Sequence, residues 1–172
     1  MNTFKPHSRY GIAAVVPFLI AMLAAALTNL PYGLTSDMAA GPQLTLIVAF
    51  FWIARRPELL PPFVLFFIGI WHDALSGAPM GLTPLLLLVV RAAIVEQNVI
   101  VFSQSFVLGW IGFAAVVTLA TGLEWAVVSW MQGSVYLGWP SILQVLLSMA
   151  FYVPVALVCS LLDRWTIRGR RS

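Results

Sequence analysis

The chain has 172 residues, of which 61% are hydrophobic and only 9% are charged, with a mean hydropathy of +0.96 and a formal net charge of +3. A soluble domain of this size carries roughly 25% charged residues, so this composition could not cover a water-exposed surface. The basic residues form no stripe with interleaved aromatic residues, which argues against nucleic-acid binding. The composition therefore predicts one compact domain in a lipid bilayer.

Six apolar segments approach the length of about 20 residues that crosses a hydrocarbon core about 30 Å thick. They lie at about residues 11–30, 39–54, 61–76, 81–97, 106–130 and 141–162. The first could instead be a cleaved signal peptide, because it contains small residues at 24–26. Its apolar run is long for such a peptide, and a retained helix is favoured. The pattern predicts an all-α integral membrane protein, a compact bundle of six transmembrane helices in a single domain over residues 1–172.

The basic residues lie on one side of this six-span layout, with Arg91 as the exception. They are Lys5, Arg9, Arg55, Arg56, Arg164, Arg168, Arg170 and Arg171. The loops on the opposite side, at about 31–41 and 131–140, contain no lysine or arginine. Because basic loops stay in the cytoplasm, this asymmetry predicts that both termini are cytoplasmic.

Residues 69–81 read GIWHDALSGAPMG and place an aspartate at membrane depth. Asp73 follows the start of the third segment by roughly 18 Å along a helix. A carboxylate there costs on the order of 3 kcal/mol, so it must face protein or water. The helix-breaking residues at 76–79 predict a sharply turned helix pair that the bundle shields, with Asp73 accepting hydrogen bonds from the freed backbone donors around 76–78. Small residues in this stretch predict close helix packing.

Two more charged residues lie within apolar segments. Arg91 stands roughly 15 Å back from Gly81 along the fourth segment. Its side chain either extends to the cytoplasmic interface or forms an intramembrane ionic contact with Asp73 or Glu124. Glu124, in the outer part of the fifth segment, has the same two interpretations. The sequence leaves both alternatives open.

The chain contains no motif that indicates catalysis. It has no HExxH, no GxSxG and no glycine-rich phosphate loop. Its two histidines are His72 and His7, and His7 lies in the predicted cytoplasmic tail, so the signal for a metal site is weak. His72 is interpreted as a polar packing residue. We predict no catalytic residue, no metal, no cofactor and no enzymatic activity.

The boundary of the third and fourth segments resembles the rod shape-determining protein MreD family of bacteria. The residues that carry this resemblance are Gly69, Asp73, Ser76, Gly77, Gly81 and Leu82. It is supported by a short second segment that begins at Pro42, with Trp52 just before a basic turn, and by a basic tail. The resemblance covers essentially the whole chain.

The resemblance implies a non-catalytic, multi-pass scaffold of the cell-elongation complex in the bacterial inner (cytoplasmic) membrane. The implied partners are MreC, the glycosyltransferase RodA with its elongation-specific penicillin-binding protein, and, indirectly, the MreB filament. The implied output is lateral peptidoglycan synthesis and rod shape, with the residue 69–81 motif serving partner binding. The sequence leaves open whether the protein forms a homodimer and which spans contact MreC.

Chains of this family also resemble, at the level of fold, the six-helix substrate-binding components of energy-coupling-factor transporters. The alternative function is therefore a small-ligand-binding membrane component of a vitamin uptake transporter, with the region of residues 69–91 lining its pocket. This alternative rests on fold analogy alone.

Overall fold

The computed structural model describes residues 10–29, 41–77, 79–96, 106–132 and 139–168. Helices account for nearly all of these residues, which confirms the predicted all-α class. In chain order they are α1 (Tyr10–Thr28), α2 (Leu44–Arg55), α3 (Pro62–Ser76), α4 (Leu82–Glu96), α5 (Phe106–Gln132) and α6 (Trp139–Arg168).

The helix bounds differ from the predicted apolar segments by more than two residues at two places. Helix α2 begins at Leu44 rather than near residue 39, and residues 41–43 are not helical. Pro42 explains this, because proline lacks an N–H donor and disfavours helical backbone at the residue before it. Helix α6 continues to Arg168, beyond the predicted end at 162, since charged residues end an apolar segment without ending a helix.

Helix α2 is the central element of the bundle. Its residues from Thr45 to Ile53 are all buried, and it packs against α1, α4, α5 and α6. A helix that is buried on every side has to be apolar on every side, and the sequence LTLIVAFFWIAR meets that requirement. Trp52 and Phe50 are its largest enclosed side chains.

An aromatic cluster joins α2 to α5 and α6. The ring of Phe113 stacks on that of Tyr152 with centroids 4.8 Å apart. Phe50 meets Phe113 edge-on at 5.6 Å and Tyr152 at 6.2 Å. Aromatic pairs of this kind contribute roughly 0.5–1.5 kcal/mol beyond the burial of their area. The cluster therefore anchors the last two helices to the centre of the fold.

The remaining helices pack as two hairpins and a covering helix. Helices α3 and α4 form the most extensive pair, and α1 covers α2 and α3. Helices α5 and α6 pack on each other and reach the rest of the bundle chiefly through contacts of α6 with α2. The Trp110 indole N–H also donates to the carbonyl of Met149 at 3.2 Å, which links α5 to α6.

Polar contacts mark one end of the bundle, which we term the arginine end and define by Arg56, Arg91 and Asp163. Arg56 Nε lies 3.1 Å from Asp163 Oδ1, and this pair ties the α2–α3 connection to α6. Arg91 donates from its guanidinium to the Pro57 carbonyl at 3.2 Å, which ties the same connection to α4. The opposite end, where α2 and α4 begin, is termed the far end and is defined by Gln43 and Gly81.

Two of the described helices are both long enough and apolar enough to cross a membrane. These stretches are Phe106–Met131 in α5 and Trp139–Asp163 in α6. The other helices contain shorter apolar stretches, at Val15–Thr28, Leu44–Arg55, Pro62–Ser76 and Leu82–Val95. Core helices of soluble proteins can have the same length and apolar composition, and six complete membrane crossings stay a prediction.

Large apolar side chains are exposed on most of the helices, with examples at Leu19, Leu23, Phe63, Phe67, Leu119 and Leu157. Soluble monomers rarely leave apolar patches of this extent exposed to water. The exposed surface therefore agrees with the composition in favouring an apolar solvent.

Candidate functional site

The turn between α3 and α4 is organised around Asp73. This residue lies in the last turn of α3 and is only 1% exposed. Its Oδ2 accepts a hydrogen bond of 2.7 Å from the backbone N–H of Gly81. Its backbone carbonyl accepts from the Gly77 N–H at 3.1 Å and from the Ser76 hydroxyl at 3.3 Å. A single residue thus holds both the end of α3 and the residue that precedes α4.

The side-chain donor differs from the one expected from the sequence. The sequence placed the donors of Asp73 around residues 76–78, and Ala78 lies outside the described residues. In the structure the N–H of Gly77 bonds to the helix carbonyl of Asp73, so it does not need the carboxylate. The N–H groups at the start of a helix have no intrahelical partner. The carboxylate of Asp73 satisfies one such donor, at Gly81, which lies directly before α4.

The three glycines of the motif have two different physical roles. A Cβ placed on Gly69 would lie 2.5 Å from the backbone of Pro84, so this glycine allows the close approach of α3 and α4. Gly77 and Gly81 have φ values of +68° and +102°, and a Cβ on either would meet nothing within 4 Å. The sequence predicts close helix packing at the small residues 74, 76, 77, 78 and 81, and at Gly77 and Gly81 this prediction is wrong, because a Cβ there has open space. The close approach occurs instead at Gly69, earlier in α3. Positive φ is the requirement at Gly77 and Gly81.

His72 adds a polar contact between the same two helices. Its Nδ1 lies 3.3 Å from the Thr83 hydroxyl oxygen on α4 and 3.9 Å from Asp73 Oδ1. These contacts are consistent with its interpretation as a polar packing residue. Together with Asp73 and Gly81 they give the α3–α4 hairpin a polar seam at its far end.

A second polar group at the far end is centred on Gln43, which precedes α2. Its backbone N–H donates to Ser148 Oγ on α6 at 2.9 Å, and its side-chain Nε2 donates to Glu124 Oε2 on α5 at 3.1 Å. Ser148 in turn donates to the Gln144 carbonyl at 2.7 Å. Gln43 and Ser148 are 6% and 0% exposed, so these bonds lie in the interior. Gln43 therefore connects the central helix to both helices of the α5–α6 hairpin.

The two polar groups lie at the same end of the bundle, because α2 and α4 both begin there and pack on each other. Sequence reasoning singled out Asp73 and Glu124 but missed Gln43 and Ser148. The only sequence signal that could have found Gln43 and Ser148 is that both are polar residues in or beside apolar segments. Gln43 stands at the edge of an apolar segment and Ser148 lies inside one, and buried polar groups of this kind usually have hydrogen-bond partners.

Arg91 is placed at the arginine end rather than beside this polar seam. Its guanidinium donates to the Pro57 carbonyl, the kind of contact expected of a side chain that extends toward a membrane surface. Among the described residues, it is Arg56 that forms an ion pair, and its partner is Asp163. An ionic contact of Arg91 with Asp73 or Glu124 stays a prediction.

The described part of the chain contains no group of three or more His, Cys, Asp or Glu side chains that could hold a metal ion. The buried acids of the far end instead accept hydrogen bonds from a backbone N–H and an amide side chain. These hydrogen bonds hold the helices in position relative to one another.

The fold and these contacts define an all-helical protein in which apolar helices pack around a few enclosed polar groups. The chain belongs to the MreD family, since the family model described as rod shape-determining protein MreD matches residues 8–162. No curated protein and no solved structure shows a significant match to it. The family is membrane-associated, takes part in rod-shape determination within the MreBCD shape complex, and is a structural component rather than a known enzyme.

Proposed function

We propose that the chain is a non-catalytic, multi-pass scaffold of the bacterial inner membrane that binds MreC and supports lateral peptidoglycan synthesis. In this role it joins the MreB filament, indirectly, to RodA and the elongation-specific penicillin-binding protein. Six helices cross the membrane, and both termini lie in the cytoplasm. Membership of the family supports the role in rod-shape determination.

The observation that carries the scaffold role is the enclosure of Asp73. Its carboxylate is 1% exposed and is bonded to the backbone of Gly81, so it is not presented to a substrate. An acid held in this way fixes the path of the chain between two helices. The motif that carries the family resemblance therefore sets the relative position of α3 and α4, and we propose that MreC docks on the surface which this position creates.

The orientation is supported by the grouping of charges. Arg56, Arg91 and Asp163 lie together at the arginine end, and the other basic residues are close in sequence to the start of α1 or to the ends of α2 and α6. By the positive-inside rule this end is cytoplasmic. Reporter fusions after Ser172 and within residues 131–140 are expected to report opposite compartments. The same compartment for both fusions would contradict the six-span topology.

Depletion in the native cell tests the cellular role. Loss of the chain is expected to convert rods to spheres, and an expressed copy is expected to restore rods. Because the chain contributes no catalytic group, the purified transpeptidase should keep its activity without it. Rods that persist after complete depletion would contradict the proposal, and so would hydrolase or transferase activity in the purified chain alone.

Co-purification with MreC tests the proposed partner. Asp73→Leu and Gly77→Leu disturb the α3–α4 turn and are expected to reduce MreC recovery at matched expression. Leu123→Ala, on the exposed surface of α5, is the control and is expected to recover MreC normally. Normal MreC binding by both turn variants would contradict a docking role for this turn.

The alternative, a ligand-binding component for vitamin uptake, gains no support. It rests on a likeness of fold to the energy-coupling-factor components, and no solved structure matches the chain. We therefore propose the scaffold role alone.

A further inference from the structure

Helix α6 contains a proline within Trp139–Asp163, a stretch that is long and apolar enough to cross a membrane. Proline has no backbone N–H, so Pro154 cannot donate to the carbonyl of Ala150, its partner in a regular helix. Ala150 lies roughly 16 Å along the helix from Trp139 and roughly 20 Å from Asp163. One backbone acceptor near the middle of this stretch therefore lacks its regular donor.

The Ala150 carbonyl belongs to the exposed face of α6. A helix carbonyl points along the axis toward the residue four positions later, which here is Pro154. Ala150 and Pro154 are both exposed, and Val153 beside them is 38% exposed. No side chain of the described residues donates to this carbonyl. The buried residues in this part of the helix lie on the opposite face, and they are Ser148, Tyr152, Ala156 and Cys159.

The preceding carbonyl shows how an acceptor in this part of α6 is used. The Met149 carbonyl accepts a hydrogen bond of 3.2 Å from the indole N–H of Trp110 on α5. Consecutive residues are about 100° apart around a helix, so the Ala150 carbonyl points away from the one that α5 reaches. A side-chain donor from a neighbouring helix thus reaches one carbonyl, and the next one is left on the exposed side.

An acceptor in hydrocarbon has few sources of a donor. Lipid tails have none, and proline is tolerated in membrane helices where neighbouring helices or side chains restore the lost bond. Hydroxyl and amide side chains form such bonds between membrane helices, and Trp110 shows that an indole does so in this bundle. A donor of this kind on a helix of another protein fits the Ala150 carbonyl.

We propose that the face of α6 formed by Ala150, Val153 and Pro154 docks a transmembrane helix of a partner protein, and that a hydroxyl, amide or indole group of this helix donates to the Ala150 carbonyl. The small side chain of Ala150 permits close approach. Helix α6 packs on α2 and α5, whereas α3 packs mainly on α4 and α1, so this helix is distinct from the one proposed to dock at the α3–α4 turn. The inference rests on the proposed membrane location and complex.

Photocrosslinking tests the docking face in cells that co-express the chain with MreC, RodA and the elongation-specific penicillin-binding protein. The photoreactive residue is p-benzoylphenylalanine in place of Phe151, an exposed residue next to Ala150. Illumination is expected to join the chain to RodA or to the penicillin-binding protein. Pro154→Ala supplies the N–H that occupies the Ala150 carbonyl, so it is expected to lower the adduct yield about three- to tenfold, the factor that one hydrogen bond contributes.

Two controls separate loss of the partner from loss of the fold. Pro154→Ala should leave the melting midpoint of the purified chain unchanged or higher, because a proline inside a helix is unfavourable. Pro17→Ala changes the proline of α1, which is fully enclosed, and should leave the adduct yield unchanged. Ala150→Leu keeps the free carbonyl but blocks close approach from an exposed position, and it should also lower the yield.

The outcomes distinguish this inference from the proposed function. Equal adduct yields with and without Pro154→Ala would overturn the inference, because the Ala150 carbonyl would then be satisfied within α6. An adduct only with lipid, with MreC or with a second copy of the chain would also overturn it. Absence of any protein adduct while MreC still co-purifies would overturn the docking face and leave the scaffold role intact. Failure of the unchanged chain to recover any of the three proteins would overturn both.

Discussion

The carboxylate of Asp73 and the backbone N–H of Gly81 form a hydrogen bond of 2.7 Å that closes the turn between α3 and α4. The bond spans the turn from the last part of one helix to the residue before the next, with Gly77 in the left-handed conformation between them. Its acceptor is almost fully enclosed, so the bond is not in competition with bulk water.

Asp73→Asn is expected to be mild and Asp73→Leu severe. The asparagine side-chain oxygen can still accept the hydrogen bond from the Gly81 N–H. Leucine leaves the Gly81 donor without its acceptor, at a cost of about 1–3 kcal/mol. Thermal unfolding of the purified chain in detergent measures the difference. Equal destabilisation by both variants would show that the carboxylate's charge, rather than its acceptor role, is what matters.

Gly69→Ala is expected to lower stability, because the new methyl group would lie 2.5 Å from the backbone of Pro84. Overpacking of this kind costs about 1–3 kcal/mol. Gly122→Ala on α5 is the matched control, since a Cβ there meets nothing within 4 Å and alanine favours a helix. The melting temperature should fall for the first variant and stay level or rise for the second. A fall of the same size in both would argue against close packing at Gly69.

Gly77→Asn is expected to be tolerated better than Gly77→Val. The backbone at Gly77 has a φ of +68°, and there is open space for a side chain. Asparagine adopts the left-handed conformation more readily than other non-glycine residues, whereas a β-branched residue is strained there by about 1–3 kcal/mol. Unfolding midpoints in detergent give the order of stability. Equal midpoints for the two variants would refute backbone conformation as the reason for a glycine.

Ser148→Ala is expected to loosen the attachment of the α5–α6 hairpin. It removes the acceptor of the enclosed Gln43 N–H, which costs about 1–3 kcal/mol. Ser160→Ala on the same helix is the control, because the Ser160 hydroxyl bonds to the Leu157 carbonyl of its own helix. Hydrogen exchange of the α2 amides should increase in the first variant alone. Unchanged exchange in Ser148→Ala would contradict the role of this contact.

Much of the helical layout could be predicted from the sequence because it depends on local properties. In a bilayer a long run of apolar residues forms a helix because its backbone groups must bond to one another, and breakers such as the stretch at 76–79 end the helix. The approximate positions of the helices, and the placement of Asp73 near the end of α3, follow from this. The end of α6 could not be predicted in this way, because the apolar segment stops near residue 162 while the helix continues through charged residues to Arg168.

The sequence by itself determined that this is an apolar, all-helical chain with an acid placed at a helix turn, since composition and periodicity are properties of the chain alone. Only the tertiary structure decided which donor Asp73 accepts from, why Gly69 and Gly77 are glycines for different reasons, and that Gln43 connects α2 to Ser148 and Glu124. These contacts join residues that are 8 positions apart in the case of Asp73 and Gly81 and 105 in the case of Gln43 and Ser148. Their partners are set by how whole helices pack, which no local pattern encodes.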